Sequence, residues 1–156
     1  FPVYCRNHGG CDEKLRPNHR LFIGHRQGGA YHFRNEGWQV VATMRSPEKE
    51  EELTSYSDVQ VEYLDVTSRE SITSAVDNAL TSFGKIDALV NNAGIAEFIV
   101  FEEADEKIVR ETFETNIIGM MWVTKALLPE FRKNRKGTII NVTSTMPHVG
   151  LPLATL

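Results

Sequence analysis

The sequence has few cysteines and no long hydrophobic run. Cys5 and Cys11 are the only two cysteines among 156 residues, which is too few for a disulfide framework. No stretch approaches the ~20 consecutive apolar residues of a transmembrane helix. The first residues also lack the basic start and the apolar segment of a signal peptide. We therefore expect a cytoplasmic protein with no membrane partner.

Net charge is small, and the basic residues are concentrated near the start. The formal net charge of −4 argues against a nucleic-acid partner for the chain as a whole. Residues 1–34 nevertheless hold six Lys and Arg against two acidic residues, whereas residues 35–156 hold eleven against nineteen. Nucleic-acid binding by the basic segment is an alternative, and it would require a steep salt dependence.

The first 20 residues show no helix or strand period, which predicts an irregular basic tail. This tail contains the set Cys5, His8, Cys11 and His19, which has the side chains that bind zinc. The spacing between the two cysteines is wider than in the usual zinc-binding pairs. We therefore predict no metal site.

The most informative stretch is a short, mainly apolar run at residues 86–90, with helical patterns on both sides. Such a run predicts a buried strand of a parallel sheet. Asn91 and Asn92 follow it and must find hydrogen-bond partners, because a buried unpaired amide is costly. Ala93 and Gly94 leave room for a flat ligand close to the backbone. The carboxyl end of a parallel strand is also where doubly wound sheets bind ligands.

The same alternation of strand and helix patterns runs through the rest of the chain. It predicts an α/β fold with a doubly wound parallel sheet of about five strands in the spatial order 3-2-1-4-5. The predicted strands are residues 21–24, 39–43, 59–64, 86–91 and 138–143. The predicted helices are residues 29–35, 47–53, 67–83 and 105–132, with Thr67 and Glu70 forming a capping box at the third.

Several of these motifs resemble the short-chain dehydrogenase/reductases. Asn-Asn-Ala-Gly at residues 91–94 resembles their central motif, which lies beside a nicotinamide dinucleotide. Gly24 and Gly28 match the first two glycines of their Thr-Gly-x3-Gly-x-Gly loop, which lets the backbone approach a pyrophosphate. Ile23 and Ala30 stand where the family has Thr and the third Gly, so an ordinary loop that holds no phosphate stays an alternative. The resemblance implies a partial, Rossmann-like dinucleotide-binding domain over residues 21–156.

The end of the second predicted strand bears on the choice of cofactor. Folds that bind NAD usually place an acidic residue there, whereas Arg accommodates the extra phosphate of NADP. This sequence has Arg45 and no acid, which favours NADP over NAD, although a solvated loop Arg is the alternative. Asp65 and Val66 resemble the family pair that contacts adenine. The alternative is that Asp65 only caps the next helix.

The resemblance also implies catalytic positions. Ser144 matches the serine that holds the substrate oxygen. Asn116, in Thr-Asn-Ile-Ile-Gly, matches an asparagine at a helix kink whose backbone carbonyl holds a water for the catalytic lysine. A satisfied structural asparagine is the alternative. The family's Tyr-x3-Lys pair would fall just beyond Leu156, so we expect an incomplete or frame-disrupted copy of a reductase gene.

The implied function is hydride transfer between NADP(H) and a small carbonyl or alcohol substrate. We expect the 156-residue chain to be inactive, because the tyrosine that moves the proton is missing. The alternative is a non-catalytic dinucleotide-binding or protein-interaction module. The last strand would form an uncharged sheet edge, so we also expect homo-oligomers or self-association.

Overall fold

The computed structural model describes residues 19–24 and 27–144, without the side chain of Gln27. Five parallel strands form one sheet in the order β3-β2-β1-β4-β5, so the predicted α/β class and strand order are confirmed. Each strand begins and ends within two residues of its predicted position. The strands are β1 Arg20–Gly24, β2 Gln39–Met44, β3 Val59–Tyr63, β4 Ala88–Asn91 and β5 Thr138–Asn141.

Helices cover both faces of the sheet, as a doubly wound fold requires. They are α1 Gln27–Asn35, α2 Arg69–Phe83, α3 Glu106–Phe113 and α4 Met120–Lys133. Alternate strand residues point to opposite faces. Leu21 and Ile23 of β1 therefore pack in a core with Ala30 of α1. Phe22 packs in a second core on the other face, together with side chains of α2 and α4.

The start of α2 differs from the prediction. Ser68 is the N-cap, and its hydroxyl accepts a hydrogen bond from the Ser71 N–H at 3.2 Å. The expected capping box between Thr67 and Glu70 is wrong, because Thr67 is turned back to Asp65. Its N–H and its hydroxyl both donate to Asp65 Oδ1, at 2.9 and 2.7 Å. The helix ends where predicted, at Gly84, whose positive φ of 74° suits glycine.

The single helix expected over residues 47–53 is also wrong. Two 3₁₀ turns, Pro47–Lys49 and Leu53–Ser55, occupy this region. Glu50 separates them in an extended conformation with φ −100° and ψ 97°. Its buried carboxylate accepts a hydrogen bond from the Leu53 N–H at 3.0 Å and so begins the second turn.

The long helix predicted over residues 105–132 is present but is not uniform. Asp105 caps α3 through a 2.8 Å hydrogen bond from the Ile108 N–H to its carboxylate. A π-helical turn, Glu114–Gly119, then joins α3 to α4. Such wide turns are rare and occur often at functional sites. Gly119 allows the close contact made there, since an added Cβ would lie 2.8 Å from a methyl group of Val66.

Most of the predicted basic tail lies outside the described residues, including Cys5, His8 and Cys11. His19 joins the fold, because its carbonyl accepts a hydrogen bond from the Gln39 N–H at 3.0 Å. Within residues 19–24 and 27–144, no three His, Cys, Asp or Glu side chains come together as a candidate metal site. No helix in that part of the chain is both long enough and apolar enough to cross a membrane.

Candidate active site at the strand ends

The carboxyl ends of β1, β2, β3 and β4 open into one cleft of about 610 Å³, which we call the strand-end cleft. The loops that follow these strands begin at this edge of the sheet, where doubly wound folds bind their ligands. The wall opposite the strand ends is formed by α3 and the π turn. The predicted cofactor residues that line it are Gly24, Arg45, Asp65, Val66, Asn92, Ala93 and Gly94.

The end of β1 lies directly against the segment that follows β4. A Cβ added to Gly24 would be 3.0 Å from the Ala93 nitrogen, so a larger residue would require the neighbouring backbone to shift by a few tenths of an ångström. The Asn92 side chain donates a hydrogen bond to the Gly24 carbonyl at 3.3 Å. The residues between β1 and α1 lie outside the described part of the chain. Gly28 is exposed in the first turn of α1 and is not among the residues lining the cleft.

Arg45 and Asp65 reach the cleft from neighbouring strands. Arg45 is exposed and directly follows β2. Asp65 lies in a loop after β3 that is fixed to α2, because its N–H donates to the Ser71 hydroxyl at 2.9 Å. Since Ser68 is the N-cap of α2, Asp65 does not merely cap that helix. Both residues line the cleft, although Oδ1 of Asp65 already accepts two hydrogen bonds from Thr67.

Asn91 is not among the residues that line the cleft. Its amide group donates to the Thr124 hydroxyl at 3.0 Å and to Asn141 Oδ1 at 2.8 Å. These bonds join β4 to α4 and to β5, where Asn91 and Asn141 are register partners. The arrangement gives Asn91 a structural role, and its predicted contact with a cofactor has no support from the geometry.

Asn116 lies in the π turn and holds the loop that follows β4. Its side chain accepts a hydrogen bond from the Ile95 N–H and donates one to the Ile95 carbonyl, both at 2.8 Å. A Cβ on Gly94 would approach Asn116 Oδ1 to 3.3 Å. The side chain is thus satisfied structurally, as in one of the two alternatives. The predicted role of its backbone carbonyl stays a prediction.

Ser144 lies three residues beyond β5, at the same edge of the sheet as the cleft. It is exposed, and it is not among the residues that line the cleft. No described tyrosine lines the cleft either. Tyr31 packs edge-on against Tyr56 with ring centroids 6.0 Å apart, and Tyr63 ends β3. None of these three tyrosines takes the place of a proton donor beside Ser144.

The polar wall of the cleft was not predicted from the sequence. Glu111, Glu114 and Thr115 line it from α3 and the π turn. Their spacing of three and four residues places them on one helical face. This spacing was the one signal in the sequence, and by itself it does not show which part of the fold the face meets.

Comparison with known proteins identifies the family. The family model for short chain dehydrogenases matches residues 23–156. The chain belongs to the short chain dehydrogenase family. It is 38% identical over 113 residues to an uncharacterized oxidoreductase of Schizosaccharomyces pombe, covering 72% of this chain and 48% of that protein. The chain thus spans about half the length of the curated relatives it matches.

Solved structures agree with this assignment. The structure of ElxO with NADP bound superposes with a TM-score of 0.80 and 27% identity, covering 88% of this chain and 60% of that chain. A 3-ketoacyl-(acyl-carrier-protein) reductase from Brucella melitensis complexed with NADH gives a TM-score of 0.79 and 25% identity, covering 87% and 61%. The Rossmann-like fold of this short chain dehydrogenase is therefore shown by both sequence and structure.

Proposed function

We propose that this chain binds a nicotinamide dinucleotide, prefers NADP(H) to NAD(H), and serves an oxidoreductase that acts on a small carbonyl or alcohol substrate. The observation that carries the proposal is the strand-end cleft. It extends across the carboxyl ends of β3, β2, β1 and β4, and so includes the point between β1 and β4 where the strand order reverses. This switch point is where doubly wound sheets bind dinucleotides.

The residues present fit such a cofactor. Gly24, Ala93 and Gly94 form a lining with almost no side chains, so a flat or extended ligand can approach the backbone. Arg45 offers two parallel hydrogen bonds to a phosphate, which supports NADP(H) over NAD(H). The short chain dehydrogenase structures cited above bind NADP in one case and NADH in the other. Arg45 is therefore the feature of this chain that argues for NADP(H).

The chemistry proposed for the chain's own residues is limited. When bound, the nicotinamide supplies or accepts the hydride. Ser144 would orient the substrate oxygen and stabilise the charge that develops on it, and Asn116 would support a proton relay. General acid–base help is typically worth ~10²–10⁴ in rate. No tyrosine among residues 19–24 and 27–144 lines the cleft, so none of the described side chains is assigned as the general acid or base.

Titration of both dinucleotides against an Arg45→Asp variant tests the cofactor assignment. The parent chain should bind NADP+ more tightly than NAD+, and the variant should lose most of that difference. Lys49→Asp is the matched control, since it makes the same charge change four residues away at an exposed position outside the cleft lining. Equal affinities in the parent, or an equal loss in the control, would remove Arg45 from the site.

A second candidate is a non-catalytic module that binds another chain. It is favoured by exposed apolar side chains on α3, the π turn and α4, namely Phe113, Ile117 and Met121. Their spacing of four residues makes one stripe, and exposed apolar stripes mark interaction surfaces. Joining the chain to a family segment that carries Tyr-x3-Lys separates the two candidates. Recovered turnover supports the enzyme, whereas dinucleotide binding without turnover supports the module.

A further inference from the structure

We propose that Glu111 and Glu114 limit the preference of the strand-end cleft for NADP(H) over NAD(H). The inference rests on the proposed function, and it assigns a role in cofactor specificity to the polar wall of the cleft. Both glutamates line the same cleft as Arg45. They face it from α3 and the π turn, whereas Arg45 faces it from the end of β2.

The described lining of the cleft carries more negative than positive charge. Arg45 is its one cation, and its carboxylates are Asp65, Glu111 and Glu114. Glu111 is only weakly compensated, because its contact with Lys107 is 3.8 Å long and both side chains are mostly exposed. Glu114 makes no ion pair within the part of the chain that the structure describes. A ligand bound beside Arg45 therefore meets two largely uncompensated glutamates.

The two cofactors differ by a single group, the 2′-phosphate of NADP, which Arg45 would bind. A phosphate monoester carries about −1.5 to −2 charges at pH 7. Charges that line one cleft of this size lie within about one or two Debye lengths, each ~8 Å at physiological salt. Glu111 and Glu114 therefore repel the 2′-phosphate, while the parts that NAD and NADP share meet them equally. The ratio of the affinities for NADP+ and NAD+ therefore reports only the repulsion of the 2′-phosphate.

The test measures the dissociation constants of NADP+ and NAD+ for the parent chain, for Glu111→Gln, for Glu114→Gln and for the double variant. At ~10 mM salt, where screening is weak, each single variant should raise the preference for NADP+ about two- to fivefold. The double variant should raise it further. At ~0.5 M salt the gain should largely disappear, because screening removes the repulsion.

Glu103→Gln is the matched control, since Glu103 is exposed just before α3 and is not in the cleft lining. It should leave the preference unchanged. Glutamine has nearly the shape of glutamate, and far-ultraviolet circular dichroism checks that each variant is folded. An unchanged preference in the double variant, an equal gain in the control, or a gain that persists at high salt would overturn the inference. A parent chain that binds neither dinucleotide would overturn the proposed function itself.

Discussion

Asn116 in the π turn holds Ile95 in the loop after β4 by a pair of hydrogen bonds, each 2.8 Å long. One side-chain amide thereby satisfies both backbone groups of a residue 21 positions earlier. The bond pair fixes the loop that carries Ala93 and Gly94 into the strand-end cleft. The shape of the cleft at this point therefore depends on a residue in the opposite wall.

Replacing Asn116 by Ala should loosen this loop. The Ile95 N–H and carbonyl would lose their partners in a half-buried place, and an orphaned group there costs about 1–3 kcal/mol. We expect the Ile95 amide to exchange its hydrogen with solvent about tenfold faster or more, measured by nuclear magnetic resonance. Asn35→Ala, at an exposed position at the end of α1, should leave that exchange rate unchanged. Equal exchange in parent and Asn116→Ala would show that the bond pair does not hold the loop.

Replacing Gly119 by Ala should destabilise the junction between the π turn and the loop after β3. The added Cβ would lie 2.8 Å from Val66 Cγ2 and 2.9 Å from the Val66 carbonyl oxygen. Relieving such overpacking costs about 1–3 kcal/mol, so the urea midpoint should fall. Gly28→Ala is the control, because a Cβ there meets no described atom within 4 Å. An unchanged or higher midpoint for Gly119→Ala would contradict the close contact with Val66.

The outer edge of β5 should drive self-association of the chain. Among the described strands β5 lies at the sheet edge, and Thr138–Asn141 carries no charge and no proline. Unprotected edges of this kind pair with other chains. The opposite edge is protected, since Gln60 and Glu62 lie along β3 and hydrogen-bond to each other at 2.6 Å.

Sedimentation velocity measures this self-association. The parent chain should sediment as dimers or larger species, and Ile139→Lys should shift it towards monomer because charge on an edge opposes pairing. Tyr63→Lys, at an exposed position at the end of β3, should leave the distribution unchanged. A clean parent monomer that unfolds cooperatively above ~50 °C, the range of ordinary domains, would refute the prediction.

The strands and their order could be predicted from the sequence because the residues that follow a buried strand mark where it ends. The run at residues 86–90 is apolar except for Asp87, and polar residues and glycine follow it. The family resemblance added the positions of Gly24, Asp65 and Asn92, which the structure brings together. Local hydrogen bonding was harder to predict. Thr67 was expected to form a capping box with Glu70, but it hydrogen-bonds to Asp65 instead. Ser68 is therefore the N-cap of α2.

The direction of the Asn91 side chain was also within reach of the sequence. Residues two apart in a strand share a face, so the half-buried Asn91 lies on the same face as Leu89, beside α4. Thr124, its partner there, is a polar residue within the apolar stripe of that helix. The polar wall of the cleft was not within reach in the same way. The spacing of Glu111 and Glu114 places them on one helical face, but only the folded structure shows that this face lines the cleft.

The most direct test of the central claim is a titration of the ¹⁵N-labelled chain with NADP+, followed by two-dimensional nuclear magnetic resonance. The claim is that the strand-end cleft binds the dinucleotide. It predicts saturable shifts of the backbone amides of Gly24, Asp65, Asn92, Ala93 and Gly94, with Gly84 at the far end of α2 unaffected. Absence of saturable shifts, or shifts confined to residues outside the cleft, would contradict the claim.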